Sequence, residues 1–156
     1  MSLLILALGT RMPAWVDAGF SEYAKRMPRD WAVELVELKP EKREARRPAA
    51  QLLALEAARI RSAWGKDHYK VMLDERGRRC DTPAFARKLE DARERRGRIC
   101  FVIGSADGID AGIKQEADLL LSLSSLTLPH GLVRVILAEQ LYRAVTLLQG
   151  HPYHRV

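Results

Sequence analysis

Two short stretches carry the residue types of a small-molecule site. The first, Gly104-Ser105-Ala106-Asp107-Gly108, directly follows the apolar run Ile99–Ile103. Glycines at such a place let backbone approach a ligand closely, and ligands of open α/β sheets bind outside the carboxyl ends of strands. The second is Leu123-Ser124-Ser125-Leu126-Thr127-Leu128, in which small hydroxyls alternate with leucines ahead of Pro129. Pro129 fixes its own φ and pushes Leu128 towards an extended conformation. Backbone amides and carbonyls between apolar walls suit an adenine ring better than a pyrophosphate; the alternative is a plain structural connection from strand to helix. The chain contains no G-x-x-x-x-G-K-[ST], no G-x-G-x-x-G and no paired C-x-x-C, so the common phosphate-loop and dinucleotide signatures are missing. His151 and His154 have the spacing for a metal but no third acidic or thiol ligand nearby.

Strands and helices must bring these stretches together. Ile99–Ile103 is short, apolar and β-branched, as in a strand buried on both faces of a parallel sheet. Leu3–Leu8 reads as another strand, since it lacks the basic region and cleavage site of a secretory signal. Trp31–Leu38 alternates and predicts a more exposed strand near an edge. Tyr69–Leu73 predicts a short strand with a polar, flexible exit at Asp74–Arg78, and Leu119 opens one more. Between them, Val16, Phe20, Tyr23, Ala24 and Met27 recur at helical spacing; Trp15 is expected to join this stripe in the core, and Pro28 stops the helix. Pro48 suits the first turn of a helix running to about Trp64, with Leu52, Leu53, Leu55, Ile60 and Trp64 on its apolar side. Thr82 is the expected N-cap of a helix with Pro83 at N1 and Phe85, Leu89 and Ala92 facing inward. Asp110 is the expected cap of a short helix reaching Ala117. The alternation predicts one α/β domain over residues 1–156, with about five parallel strands.

The last helix, Leu132–Leu148, is apolar nearly all round, which leaves no wide polar face. In a domain of this size the second cover is expected to be another subunit, so the chain is predicted to form a homodimer. Within this helix Glu139 precedes Arg143 by four residues, the favourable order for a helical ion pair.

A chain of 156 residues with 47% hydrophobic residues can bury a real core. No apolar stretch reaches the roughly 18 residues of a membrane span. Cys80 and Cys100 are the only cysteines; with Cys100 in a buried-strand pattern, two free thiols in a reducing cytoplasm are expected. The net charge of +6 favours a polyanionic partner. Basic residues cluster at Lys39, Lys42, Arg43, Arg46 and Arg47, expected to be the most mobile segment, and at Arg93, Arg95, Arg96 and Arg98. Each cluster alone is accounted for by solvated helix and loop faces; together, beside a nucleotide-type site, they point to nucleic acid.

Several of these stretches share a further property. Gly104-x-x-x-Gly108, Leu123-Ser124-Ser125-Leu126-Thr127-Leu128-Pro129-His130, Val133-Arg134-Val135, Ala138-Glu139-Gln140-Leu141-Tyr142-Arg143-Ala144 and the ending His151-Pro152-Tyr153-His154-Arg155 resemble the RlmH family, as does Gly9-Thr10-Arg11-Met12-Pro13-x-Trp15-Val16. The resemblance spans essentially the whole chain. It implies a SPOUT-class, S-adenosylmethionine-dependent methyltransferase acting on N3 of a pseudouridine in large-subunit (23S) ribosomal RNA on assembled ribosomes. It also implies a C-terminal trefoil knot, in which the chain from about Leu119 threads through an earlier loop. By the same resemblance, Leu73, Gly104 and Leu123, Ser124, Ser125, Leu126, Thr127 and Leu128 fall in the cofactor-binding loops. The tail Tyr153-His154-Arg155 is expected to reach the active site, from its own or the partner subunit.

Such a reaction needs alignment of donor and acceptor, which supplies roughly 7–11 kcal/mol, and loss of the proton on N3. His154, His130 and Glu139 are the candidate bases, with His154 the one assigned; Tyr153 would stack on a base and Arg155 would neutralise phosphate or the developing anion. One residue departs from the family's Gly-Gly pattern: Ser105. A positive φ there would cost about 1–2 kcal/mol and weaken cofactor binding. A non-catalytic ribosome- or RNA-binding protein retaining the fold is therefore the alternative, with a nicotinamide oxidoreductase disfavoured by the absent fingerprint.

Overall fold

The computed structural model describes residues 2–44 and 46–154, with Ser2 and His154 described by backbone alone. Five strands, β1 (Ser2–Leu8), β2 (Ala32–Leu38), β3 (Tyr69–Arg79), β4 (Ile99–Ile103) and β5 (Leu119–Ser122), form one sheet in the order β2-β1-β4-β3-β5. Every pairing is parallel. Five helices connect or follow them: α1 (Ala14–Ala24), α2 (Ala49–Ala63), α3 (Thr82–Arg96), α4 (Ala111–Lys114) and α5 (His130–Leu148).

Alternation along each strand divides the core. Leu3, Ile5, Ala7, Val71, Ile99, Phe101 and Ile103 face one side, where they meet Phe20 of α1, Phe85 and Leu89 of α3, and Leu137 and Leu141 of α5. Leu4, Leu6, Leu8, Met72, Cys100 and Val102 face the other, against Ala57, Ile60 and Trp64 from α2 and Ile113 from α4. Helices therefore cover both faces, and all five residues of β4 are buried, as its unbroken apolar run predicts. β2 pairs with β1 alone and occupies an edge, in keeping with its alternation. Both cysteines are free thiols; burial pushes the Cys100 thiol up to about 12.

Several expectations change. Trp15 is 57% exposed rather than part of the core, because it precedes the inward stripe of Val16 and Phe20 by one helical position. Leu55 is exposed too; its neighbour Glu56 is buried instead, 1% exposed. β3 does not stop at Leu73. After an irregularity between Leu73 and Arg78, the chain pairs again with β5 at Leu121 and Ser122. Gly77 permits this: a Cβ there would lie 2.8 Å from the backbone of Leu120 and Leu121. Pro48 precedes the first turn of α2 as its N-cap. Asp81, not Thr82, caps α3, its carboxylate accepting from the Ala84 amide at 2.9 Å. Asp110 caps α4 as expected, but that helix ends at Lys114.

Candidate active site

β3, β4 and β5 are neighbours and parallel, so the carboxyl ends of β4 and β5 deliver Gly104 and Leu123 to the edge of the sheet where β3 becomes irregular after Leu73. Gly104 leaves no room for a side chain: a Cβ would meet the Gly108 carbonyl oxygen and Ile109 Cγ1, both at 2.6 Å. Its glycine identity follows from this crowding, with its peptide presented at the strand exit. Ser105 is unstrained. Among the described residues Arg11 is the only non-glycine with positive φ, so the expected penalty at position 105 does not arise.

The loop after β5 folds on its own hydroxyls. Ser122 Oγ donates to the Ser124 carbonyl at 2.9 Å, Ser124 Oγ accepts from the Leu126 amide at 2.9 Å, and Thr127 donates to Glu75 at 3.3 Å. The amides of Ser125, Thr127 and Leu128 have no protein partner among the described residues. Leu126 is 75% exposed. Unspent backbone donors beside exposed leucine form the mixed polar and apolar lining that a purine ring needs. Beneath them, Lys114 reaches Asp74 at 2.7 Å. Burial opposes ionisation of Asp74, but Lys114 and the Arg76 amide together hold its carboxyl below the usual value.

α5 joins the two loops. His130, its first residue, lies 2.8 Å from the Gly104 carbonyl through Nδ1, and Arg134 Nε donates to His130 Nε2 at 2.9 Å. A nitrogen that accepts from a guanidinium carries no proton, so the proton sits on Nδ1 and is donated to Gly104. Burial lowers the His130 pKa, the Gly104 bond opposes this, and nearby Arg134 lowers it further. Arg134 is fully buried; its other nitrogens donate to Glu37 at 2.6 Å and to the Gly9 carbonyl at 2.8 Å. Both nitrogens of His130 are thus hydrogen-bonded, and in this geometry neither is free to accept a proton from a substrate.

Glu139 is occupied as well. Arg143 Nε donates to it at 2.8 Å, Gln140 at 2.7 Å and the Tyr153 hydroxyl at 3.2 Å. The Tyr153 ring lies 4.5 Å from the Tyr142 ring centroid and beneath the Arg143 guanidinium at 5.0 Å. Burial and the adjacent Glu139 carboxylate raise the Tyr153 pKa. The tail is thereby folded onto α5 nine residues beyond His130, about 13 Å along the helix axis. The side chain of His154 and all of Arg155 lie outside the described residues.

The two basic clusters part company. Arg93–Arg98 end at the start of β4, at the amino edge of the sheet, where Arg93 lies over Trp31 at 4.5 Å and 3.6 Å from Asp30. The Lys39–Arg47 cluster instead flanks the Gly104 loop, to which Arg43 is bonded. The described part of this cluster is held by contacts that its composition does not announce. Sequence reading also missed Arg134 as a hub; the one available signal was a lone cation within an otherwise apolar helix face.

The family model described as "Predicted SPOUT methyltransferase" matches residues 1–154. The chain is 55% identical to the ribosomal RNA large subunit methyltransferase H of Ralstonia pickettii over 156 residues, all of both chains. It is 50% identical to the protein of the same name from Nitrosospira multiformis over 155 residues, 99% of each. A solved structure, the SpoU methyltransferase AviRb from Streptomyces viridochromogenes in complex with AdoMet, is similar at a TM-score of 0.44 with 11% identity, over 92% of this chain and 57% of that one. With the family's extent matched nearly end to end and half or more of all residues shared with its named members, the chain belongs to the SPOUT methyltransferases, among the ribosomal RNA large subunit methyltransferases H.

Proposed function

We propose that this protein transfers a methyl group from S-adenosylmethionine to N3 of a pseudouridine in 23S ribosomal RNA, acting as a homodimer on assembled ribosomes in the cytoplasm. The observation that carries the reading is the hydrogen bond from His130 to Gly104, 2.8 Å long, which ties the loop after β5 to the exit of β4. Leu73, Gly104 and the run Leu123–Leu128 would hold the cofactor, with the Ser125, Thr127 and Leu128 amides for the adenine edge and Leu126 against its face. The bound cofactor supplies a methyl group already activated on sulfur. This chain's residues then need to align the acceptor and take its proton. A base on this chain would take the N3–H proton as the acceptor nitrogen is methylated. With His130 and Glu139 engaged elsewhere, His154 is the assigned base, beside Tyr153 as a stacking platform and Arg155 as the countercharge.

The tail sits about 13 Å along α5 from the cofactor loops of its own chain, which favours delivery from the other subunit. The outer face of α5 supports the dimer: Leu132 and Ile136 remain only half-buried in one chain. The knot is supported by the path of the chain. β5 lies beyond β3, yet α5 starts against the exit of β4 on the other side of β3. Sedimentation at micromolar concentration tests the dimer, and an experimental map traced from Gly104 to His130 tests the threading.

Isotope-labelled S-adenosylmethionine, incubated with the protein and ribosomes lacking the modification, tests the reaction. Label on a single pseudouridine of the large-subunit RNA is expected by mass spectrometry after nuclease digestion. Cofactor binding without any label would favour the non-catalytic reading, which lost its support when Ser105 proved unstrained.

A further inference from the structure

Among the described residues two charged side chains are essentially fully buried, Arg134 and Glu56, and both lead to the same turn of chain. Arg134 reaches Gly104 through His130. Glu56, from α2 on the other face of the sheet, reaches the next residue: the Ser105 hydroxyl donates to its Oε1 at 2.8 Å. Its Oε2 accepts from the Glu41 amide at 2.9 Å and lies 3.4 Å from Arg43. Burying a carboxylate is costly unless such partners are present, so helix α2 carries this acid at a position where its pattern calls for leucine.

The partners come from the basic arm, residues 39–44. Arg43 donates to Ser105 Oγ at 2.7 Å and to the Glu41 carbonyl at 3.1 Å, and its Nε pairs with Asp107. Arg59 donates to the Lys39 carbonyl at 2.7 Å and pairs with Glu41. Ser105 thus both donates and accepts, the one hydroxyl through which arm, helix and cofactor loop meet. A glycine at this position would offer neither bond. Lys42 and Arg46 stay exposed and have no carboxylate partner among the described residues.

We propose that Ser105, Glu56 and Arg43 form a latch that makes the basic arm part of the cofactor site, so that arm order and S-adenosylmethionine affinity are coupled. Ser105 and Glu56 are positioning residues that act through the Gly104–Gly108 loop, and the inference rests on that loop binding the cofactor. Coupling of this kind is reciprocal: the factor by which bound cofactor changes the affinity of Lys42 and Arg46 for an anionic ligand is the factor by which that ligand changes cofactor affinity.

The test uses the full-length protein, S-adenosylmethionine, and the variants Ser105→Ala and Glu56→Gln, with thermal unfolding to establish that each is folded. Calorimetry reads cofactor affinity, and limited trypsin digestion reads cleavage after Lys42 and Arg46. In the wild type the cofactor should slow that cleavage. In Ser105→Ala affinity should fall by about tenfold or more, the loss of a hydrogen bond to a charged group, and cleavage should cease to respond to cofactor. Steady-state kinetics should show the loss in KM for S-adenosylmethionine, with kcat at saturation within about twofold, a split that general destabilisation does not produce. Glu56→Gln, which keeps the shape, should fall in the same direction. Wild-type affinity in both variants, or cleavage indifferent to bound cofactor in the wild type, overturns the latch. Failure of the wild type to bind the cofactor at all overturns the proposed function itself, a distinct result.

Discussion

His130 Nε2 accepts from Arg134 Nε at 2.9 Å, one turn further along α5, and this single bond decides the protonation state of the imidazole. The proton left on Nδ1 goes to Gly104, at the candidate cofactor loop. The pair thereby converts a buried guanidinium, anchored on Gly9 and Glu37, into a fixed backbone carbonyl at the exit of the neighbouring strand.

Protonation of His130 should break this arrangement. Its pKa is lowered in the fold, first by burial and also by Arg134, with the Gly104 bond and Glu37 opposing. The unfolded chain therefore takes up the proton first as pH falls. The stability contribution is complete above the ordinary value of 6.5 and is lost as pH drops below it towards the folded pKa. Thermal unfolding followed from about pH 8 to about pH 5 should show this loss in the wild type and a shallower slope in His130→Asn. Equal slopes would sink the assignment.

Arg134→Met should destabilise the protein by about 3 kcal/mol, at the low end for a broken buried pair because Glu37 keeps access to water. The Gly9 carbonyl and His130 Nε2 lose their donor at the same time. Denaturant titration gives the value; a change below about 1 kcal/mol would place the hub outside the energetics of the fold.

Gly104→Ala tests crowding at the strand exit. The added methyl meets the Gly108 carbonyl and Ile109 at 2.6 Å, and backbone must move to admit it, at about 1–3 kcal/mol. Cofactor affinity should drop at least tenfold while the sheet stays folded by circular dichroism. An alanine variant with normal affinity would move the cofactor away from this turn.

Tyr153 offers a test that separates binding from turnover. Tyr153→Phe removes the hydroxyl that donates to Glu139 at 3.2 Å but keeps the ring, so a modest loss of kcat is expected. Tyr153→Ala also removes the ring contacts with Tyr142 and Arg143 and should lower kcat further than Tyr153→Phe does, with cofactor affinity retained in calorimetry. Loss of cofactor binding in Tyr153→Ala would mean that the tail serves the cofactor pocket rather than the RNA.

Much of this architecture is written in local pattern. The all-apolar Ile99–Ile103 became the central, doubly covered strand because nothing in it tolerates water on either face, and the alternation of Trp31–Leu38 placed that strand at an edge. The loops at Gly104 and Leu123–Leu128 were legible as candidate site loops for the same reason: small and polar residues interrupt apolar runs where a parallel strand must end. What pattern could not foretell was pairing between residues far apart in the chain. Glu56 lies where α2 calls for an apolar group, and only the packing of the arm and Ser105 around it makes burial tolerable. Arg134 is likewise hidden by neighbours 97 and 125 residues away. The family pattern implies strain at Ser105 only if its φ is positive, and among the described residues Arg11 alone of the non-glycines has a positive φ. Hydrophobic periodicity is a property of neighbouring residues and survives in one dimension. The partners of a buried charge are chosen by the folded chain, and they exist only once the sheet has brought its strand ends together.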